Sequence, residues 1–409
     1  MTVITKKPAS PVAHLSAEDI EAIGRELDAI RQSVMETRGE SDARYIRRMI
    51  KTQRYLEVGS RATLLASGFF PPAFFLGTAG LSVAKILDNM EIGHNILHGQ
   101  WDWMRDPKIH SSVWEWDSAS TAESWKHSHN ELHHTYTNII GKDNDLGYGI
   151  MRVDEDQRWA PAYLAQPLYN FLNMLVFEYG IAAYDLELGR NLRLPKDKRP
   201  QEFKDNVSKT LRKIRKQATK DYVVHPLIAL PFGAAIPTLA ANAIANVVRN
   251  VWSHSVIMCG HFPEGVETYE KASIDPNETR GEWYLRQMLG SANISGSKAM
   301  HVMSGNLSHQ IEHHLWPDLP SNRYAEVAPQ VKALFEKYGL NYHEASMPAQ
   351  VYSAWHKVVR LSLPNNWLAT TTPKNLPKQM KVLWKMTRGS RAERRKLQER
   401  LDLEAAYLA

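Results

Sequence analysis

The 409-residue sequence predicts an all-α integral-membrane protein. The expected architecture is four transmembrane helices in two hairpins, beneath a cytoplasmic helical cap that carries a histidine cage for two metal ions. Three observations predict it. Apolar runs lie near 62–84 and 222–261, and polar segments dilute them to a mean hydropathy of −0.42. Basic stretches, RYIRRMIKTQR from Arg44 and the segment from Arg190 to Lys220, flank those runs. Segments of that kind stay on the cytoplasmic side of a membrane. Lastly, eight of the 17 histidines fall in three short boxes.

The N-terminus, MTVITKKPASPVAHL, has no apolar core and is not a secretory signal. Residues 1 to about 15 read as a tail. Ser16 and Asp19 mark a helix start, and Ile20, Ile23, Leu27 and Ile30 recur at helical spacing. This amphipathic helix lies on the protein or on the bilayer, within an N-terminal cytoplasmic part, 1–55. From 57 to 98 there is room for two crossings of about 20 residues each, with the turn at Gly77 and Gly80. Trp101, Trp103, Trp114, Trp116 and Trp125 follow, a residue type that favours the membrane interface.

Boxes that meet must lie on one side, so an even number of crossings separates the second from the third. The segment 162–185, with Glu178, is therefore read as an interfacial helix. The pair 222–239 and 240–260 forms the second hairpin. Pro231 and Pro237 are tolerable there when neighbours satisfy the freed carbonyls. The membrane domain is 56–345, and 346–409 is a C-terminal cytoplasmic extension. Tyr324 to Tyr338 reads as an amphipathic helix and Arg388 to Leu408 as a charged one. A net charge of +6 fits an anionic surface. The apolar runs make that surface a bilayer and exclude nucleic acid. Cys259 is the single cysteine, which excludes an intramolecular disulfide.

Box one, GHNILHGQ, holds His94 and His98. Box two, HSHNELHHTYTN, holds His129, His133 and His134. Box three, GNLSHQIEHHLWPDLP, holds His309, His313 and His314. On a helix, residues i and i+4 share a face, and residue i+5 points about a third of a turn away. One of each pair then serves the same centre as the first histidine, and the other a neighbouring centre. Two HxxxHH clusters and one HxxxH offer more ligands than one ion uses. Surface or packed histidines are the plain alternative, and the repeated spacing argues against it. The lack of cysteine partners argues against structural zinc. Imidazole alone leaves iron, copper, nickel and zinc open.

The strings GHNILHGQWDWM, HNELHHTYTNIIGKDNDLGY, CGHFPEG and NLSHQIEHHLWPDLPSNRY resemble the integral-membrane fatty-acid desaturases, the histidine-box di-iron family. The likeness is closest to the bacterial acyl-CoA desaturases and runs over roughly residues 55 to 345. It implies two iron ions that activate O2, and a cis double bond introduced into a long-chain acyl-CoA or acyl lipid. It implies electrons from a separate protein, a ferredoxin or a flavin-dependent reductase. It also places both termini and all boxes in the cytoplasm of a multi-pass cell-membrane protein. The eight box histidines and His261 form the expected ligand set. Glu131, Asp143, Asp145 and Glu312 are expected to orient ring N–H groups, with His127 beside them or on the surface. Between His254 and His261 the ninth ligand is open. Asn250 with His254 matches the NxxxH arrangement of stearoyl-CoA desaturases, in which Asn holds a water on iron. His261 is favoured because Gly260 lets the backbone approach and Pro263 ends the helix. Rival readings are a membrane hydroxylase of alkanes, sterols or carotenoids, and a metal-binding membrane transporter.

Overall fold

Local sequence sets many of the helix ends in the computed structural model, which describes residues 10–143 and 145–408. Residues 1–9 of the expected tail lie outside the described residues. Helix α1 (Ala17–Thr37) starts at a capping box: the Ser16 hydroxyl accepts from Asp19 N, and the Asp19 carboxylate accepts from Ser16 N. Helix α2 (Glu40–Leu65) turns through Ala66–Gly68 into α3 (Pro72–Leu87), with proline in the first turn, where its missing N–H costs nothing. A π-helical turn, Asp88–His94, extends α3 into box one. A second, Lys126–His133, forms most of box two. Two short helices, α4 (Gln166–Leu175) and α5 (Phe177–Asp185), break at Val176. The basic α6 (Gln201–Thr219) follows, and then the long α7 (Ala235–His261). Box three lies between α8 (Arg280–Leu289) and α10 (Tyr324–Lys337), on the short α9 (Gln310–Leu315). The chain closes with α11 (Met347–Ser362), α12 (Leu376–Arg388) and α13 (Arg391–Leu408). Parallel pairings at Ile139–Ile140 with Tyr269–Glu270 and at Asn293–Ser295 with Glu344–Ser346 are the strands among the described residues.

The largest apolar cluster backs box three. Ile23 and Leu27 of α1, Tyr284 and Met288 of α8, Ile311 and Leu315 of α9, and Val327 and Val331 of α10 meet there. The expected amphipathic α1 therefore spends its apolar face on the protein interior. Box one is tied to box three through the buried Glu91 carboxylate. It accepts from Tyr45 (2.8 Å), Asn306 (2.9 Å) and Ser321 (2.9 Å). At the other end of the molecule, α12 and α13 pack on Trp159 and Trp367.

Among the described residues no helix is long and apolar enough to cross a membrane. This overturns the four expected spans. It also overturns the integral-membrane assignment, the bilayer as a partner, and the multi-pass placement with cytoplasmic termini and boxes. The reasons are local. The 16 residues of α3 reach only about 24 Å at 1.5 Å per residue, short of a hydrocarbon core of about 30 Å. The segment 222–239 is no single helix: a π turn at Lys220–Val224, one α turn at His225–Ala229 and a 3-10 turn at Leu230–Phe232 end at Gly233, whose φ is +65°. Helix α7 has the length, but it buries Asn242, Asn246, Arg249, Asn250, Ser253 and His254. Gly77 and Gly80 are not a turn either. They sit inside α3, where a Cβ would meet Leu64 Cγ at 2.7 Å and Ser60 Oγ at 2.3 Å, so they let α2 cross closely. The turns at 66–70 and 230–234 touch, since a Cβ on Gly68 would lie 2.3 Å from Phe232 O. Phe69, Phe70, Leu230, Phe232 and Ile236 are exposed around them.

Helix α1 is held to α8 by a glycine contact. A Cβ on Gly281 would stand 2.2 Å from Ile20 O, and one on Gly24 would stand 3.3 Å from Gly281 Cα. Gly281→Ala must push α1 off the cluster behind box three. The expected cost is that of overpacking, roughly 1–3 kcal/mol, read as a lowered thermal midpoint. An unchanged midpoint would show that α1 shifts freely.

Candidate metal centre

The boxes converge although they come from separate elements. His94, His98, His129 and His313 place ligand nitrogens within 4.8 Å of one another, and so do His133, His261 and His314. His134 stands between the two groups. Its ring is 4.7 Å from His98, 4.8 Å from His313 and 4.5 Å from His314. Adjacent residues thus face different groups, His313 one and His314 the other, as the spacing argument expects.

In box two that argument fails in detail. The turn is π-helical, with His134 N donating to His129 O across five residues at 3.1 Å. His129 and His133, four apart, fall in different all-histidine groups, although both also come within 4.8 Å of each other and of Asp145. Box three has the same spelling and another shape. Helix α9 begins only at Gln310, and His309 precedes it with φ −102° and ψ 57°. The His309 ring stacks on His301, with centroids 4.6 Å apart, and neither group includes it. Gln310 enters the site instead: its Nε2 lies 3.0 Å from His261 Nε2. The spacing rule passed over it because it reads histidines only, although Gln310 was visible in the QIEHH string.

Of the two possible ninth ligands, His261 is inside and His254 is not. Gly260 is needed there, since a Cβ would meet Gln310 Cγ at 2.8 Å. The His254 ring is buried against Phe177 and bonds Asn170 Oδ1 at 2.9 Å. Asn250 bonds Leu175 O and Arg249 and lines the cavity that the histidines also face. His127 and Glu131 pair with each other at 2.6 Å on the exposed side. Glu312 accepts from Asn293 and Tyr342 and orients no histidine ring.

Asp143 and Asp145 do face ring nitrogens of box two. Asp145 accepts from His129 Nδ1 at 2.7 Å, and Asp143 from His133 Nδ1 at 2.9 Å. Other Nδ1 atoms face Asn95 Oδ1 (His94), Gly290 O (His261), Tyr324 (His313) and Gln287 (His314). Fixing Nδ1 leaves Nε2 free to ligate. The Nε2 atoms of His98, His129, His134 and His313 are buried without a hydrogen-bond partner. The Nε2 atoms of His261 and His314 converge at 3.1 Å. Orphaned, inward-facing nitrogens in two groups fit a pair of metal ions bound through imidazole.

Burial holds the rings neutral. It pushes His94 and His261 down to about 4, and His98, His129, His134, His313 and His314 well below the usual imidazole range. His133 is the exception. Burial opposes its charge, but Asp143 and Asp145 outweigh burial and lift it to about 9.

A narrow cavity adjoins the histidines. Met90, Trp116, Trp125, Phe177, Ile181, Ile257 and Leu307 wall it, and the buried Arg249–Glu178 ion pair lies along it. Behind the irregular 115–121 segment a surface pocket opens, lined by Lys209, Arg212, Lys213, Arg215, Lys216 and Lys220. Trp116 faces the cavity, and Glu115 and Thr121 face the pocket.

The comparisons agree with this geometry. Residues 66–346 match the family model "Fatty acid desaturase". An NADPH-dependent stearoyl-CoA 9-desaturase of Mycobacterium tuberculosis is 49% identical over 358 residues, 87% of this chain and 83% of the relative. An sn-1 linoleoyl-lipid 6-desaturase of Synechocystis is 26% identical over 66% of this chain and 75% of its own length. Human fatty acid desaturase 3 is 27% identical over 54% and 46% of the two chains.

His133 generates a pH prediction. Without metal its pKa is raised from 6.5 to about 9, so its ion pair stabilises the apo fold fully below 6.5 and loses that effect as pH rises through about 9. At neutral pH a metal must displace its proton. Iron binding to apoprotein at pH 7.5, followed by calorimetry in buffers of different ionisation heat, should release the His133 proton. Asp143→Asn should suppress that release. Equal release from both proteins would overturn the assignment.

Proposed function

The chain belongs to the fatty acid desaturase family, and from that premise we infer that its substrate is a long-chain acyl-CoA. The protein is an oxidoreductase that uses O2 at two iron ions, with electrons from an external donor, to desaturate fatty acyl chains. The relatives are desaturases, so the hydroxylase and transporter alternatives fall away. The stearoyl-CoA 9-desaturase supports a saturated chain, reaction at the ninth carbon and NADPH as the ultimate source of electrons.

The observation that carries the substrate reading is the paired sites on either side of the 115–121 segment. An apolar cavity beside the histidines suits the acyl chain. The α6 pocket, with its four lysines and two arginines, suits the phosphates of coenzyme A. The proposed ligands are His94, His98, His129 and His313 for one iron and His133, His261 and His314 for the other, with His134 between them. His309 is not among them. Bound there, the iron pair supplies the O2-derived oxidising power that removes hydrogen from an unactivated methylene pair, which no side-chain acid or base can do. The chain's own residues do the rest. Asp143 and Asp145 hold the His133 and His129 Nδ1 protons outward. Met90, Trp116, Trp125 and Leu307 keep water from the reacting methylenes, and the α6 cations anchor the polar head.

Two tests follow. Expression in a host supplied with a redox partner should create a cis double bond in stearoyl chains. His313→Ala should abolish it, and His309→Ala should retain bound iron. Arg212→Glu with Lys216→Glu should raise the KM for stearoyl-CoA by about tenfold or more while kcat holds, since only binding of the head is lost. A fall in kcat at unchanged KM would remove coenzyme A from this pocket.

A further inference from the structure

Three indoles stand in file between the histidines and the surface. Trp125 stacks on His129, with ring centroids 4.5 Å apart and planes 22° apart, and meets His94 and His98 edge-on at 5.4 Å. Trp116 lies 5.1 Å from Trp125. Trp114 packs into the same cluster, and it also lines a surface depression with Arg47, Lys51, Arg54 and Lys108. Walling an acyl cavity needs only apolar bulk, which leucine or phenylalanine supplies. Indoles that begin in contact with an imidazole and recur within one cluster out to a surface depression are more than a wall requires, because indole is among the most easily oxidised side chains.

We propose that Trp125, Trp116 and Trp114 are a one-electron escape route for the oxidised centre when no acyl chain is in place. The proposal rests on the desaturase reading. With iron bound, Trp125 would give one electron toward the oxidised centre, and two such passages, with two protons drawn from water, would reduce the O2-derived oxidant harmlessly. Trp116 refills Trp125, and Trp114 refills Trp116. The vacancy at Trp114 is filled by one electron from an anionic reductant of the ascorbate or thiolate class, which Lys51, Arg54 and Lys108 attract beside the Arg47–Asp106 ion pair. No bond in the protein forms or breaks. Two passages discharge the two equivalents that desaturation would otherwise draw from C–H bonds.

Other oxidisable groups near the site offer poorer exits. Tyr148 lines the cavity, but its hydroxyl has no partner to take the proton that phenol oxidation expels. Tyr324 contacts His313 but is fully buried. Met90 faces the cavity, and its oxidation ends in a sulfoxide, which is damage.

The test treats iron-loaded enzyme with hydrogen peroxide in the absence of acyl substrate, with and without ascorbate. Freeze-quenched samples should show a tryptophan radical by electron paramagnetic resonance, quenched by ascorbate. Peptide mass spectrometry should place residual oxidation on Trp114. Trp114→Phe should leave stearoyl-CoA desaturation and the melting curve unchanged. It should inactivate several-fold faster under peroxide, with Met90 sulfoxide accumulating, and Trp114→Tyr should restore protection. No tryptophan radical, oxidation centred on Tyr324 or Tyr148, or wild-type survival of Trp114→Phe would each overturn the route. The peroxide experiment needs only bound iron. Failure to form a double bond from stearoyl-CoA, measured in parallel, counts against the desaturase reading and leaves the radical result to decide the route.

Discussion

The structure depends on crowding neutral imidazoles into a space closed to water. All but His133 stay uncharged and every ring must present a chosen nitrogen, and burial alone secures only the first condition. The second is met from outside the boxes. Asp145 and Asp143 lie downstream of box two, Gly290 and Gln287 come from the end of α8, and Tyr324 opens α10. Helices with no histidine of the set are thus part of the centre. The cluster behind α9 keeps those donors and acceptors in register, which is why α1 packs so tightly on α8.

A second set of buried polar groups runs through the helices whose composition looks apolar. Lys85 Nζ lies 2.9 Å from both Asp117 and Asp221. Arg249 donates to Asp117 O and pairs with Glu178. Each charge is compensated, as burial demands. The partners come from α3, the 115–121 segment, the turn after α6, α7 and α5, so the network bolts the cavity wall together.

Those pairs explain what the sequence concealed. A window average over 222–261 sees alanine, isoleucine and valine and expects two crossings. It is blind to Arg249 meeting Glu178 across 71 residues, and to the break that Pro226, Pro231 and Gly233 put into the first half. Gly77 and Gly80 read as a turn because glycine serves loops and close crossings equally. The metal-binding character was legible because histidine has few other reasons to recur at fixed spacing. Asp143 and Asp145 were legible as carboxylates downstream of box two, and His261 through its neighbours Gly260 and Pro263. His309 and Gln310 were not separable, because a helix start decides between them and the string QIEHH carries no strong cap.

The two HxxxHH boxes are therefore one spelling with two phases. A π turn is an α-helix holding one residue more than its ladder uses. Removing one residue between His129 and His133 would return that stretch to the α ladder and leave its ends in place. The histidines downstream would keep their direction, because the deletion removes the residue that the wider turn takes up. They would then stand three and four residues after His129, as an ordinary α turn would place them. In this chain the same HxxxHH string is wound in two ways, and the winding of the backbone, not the spelling, sets where each ring points.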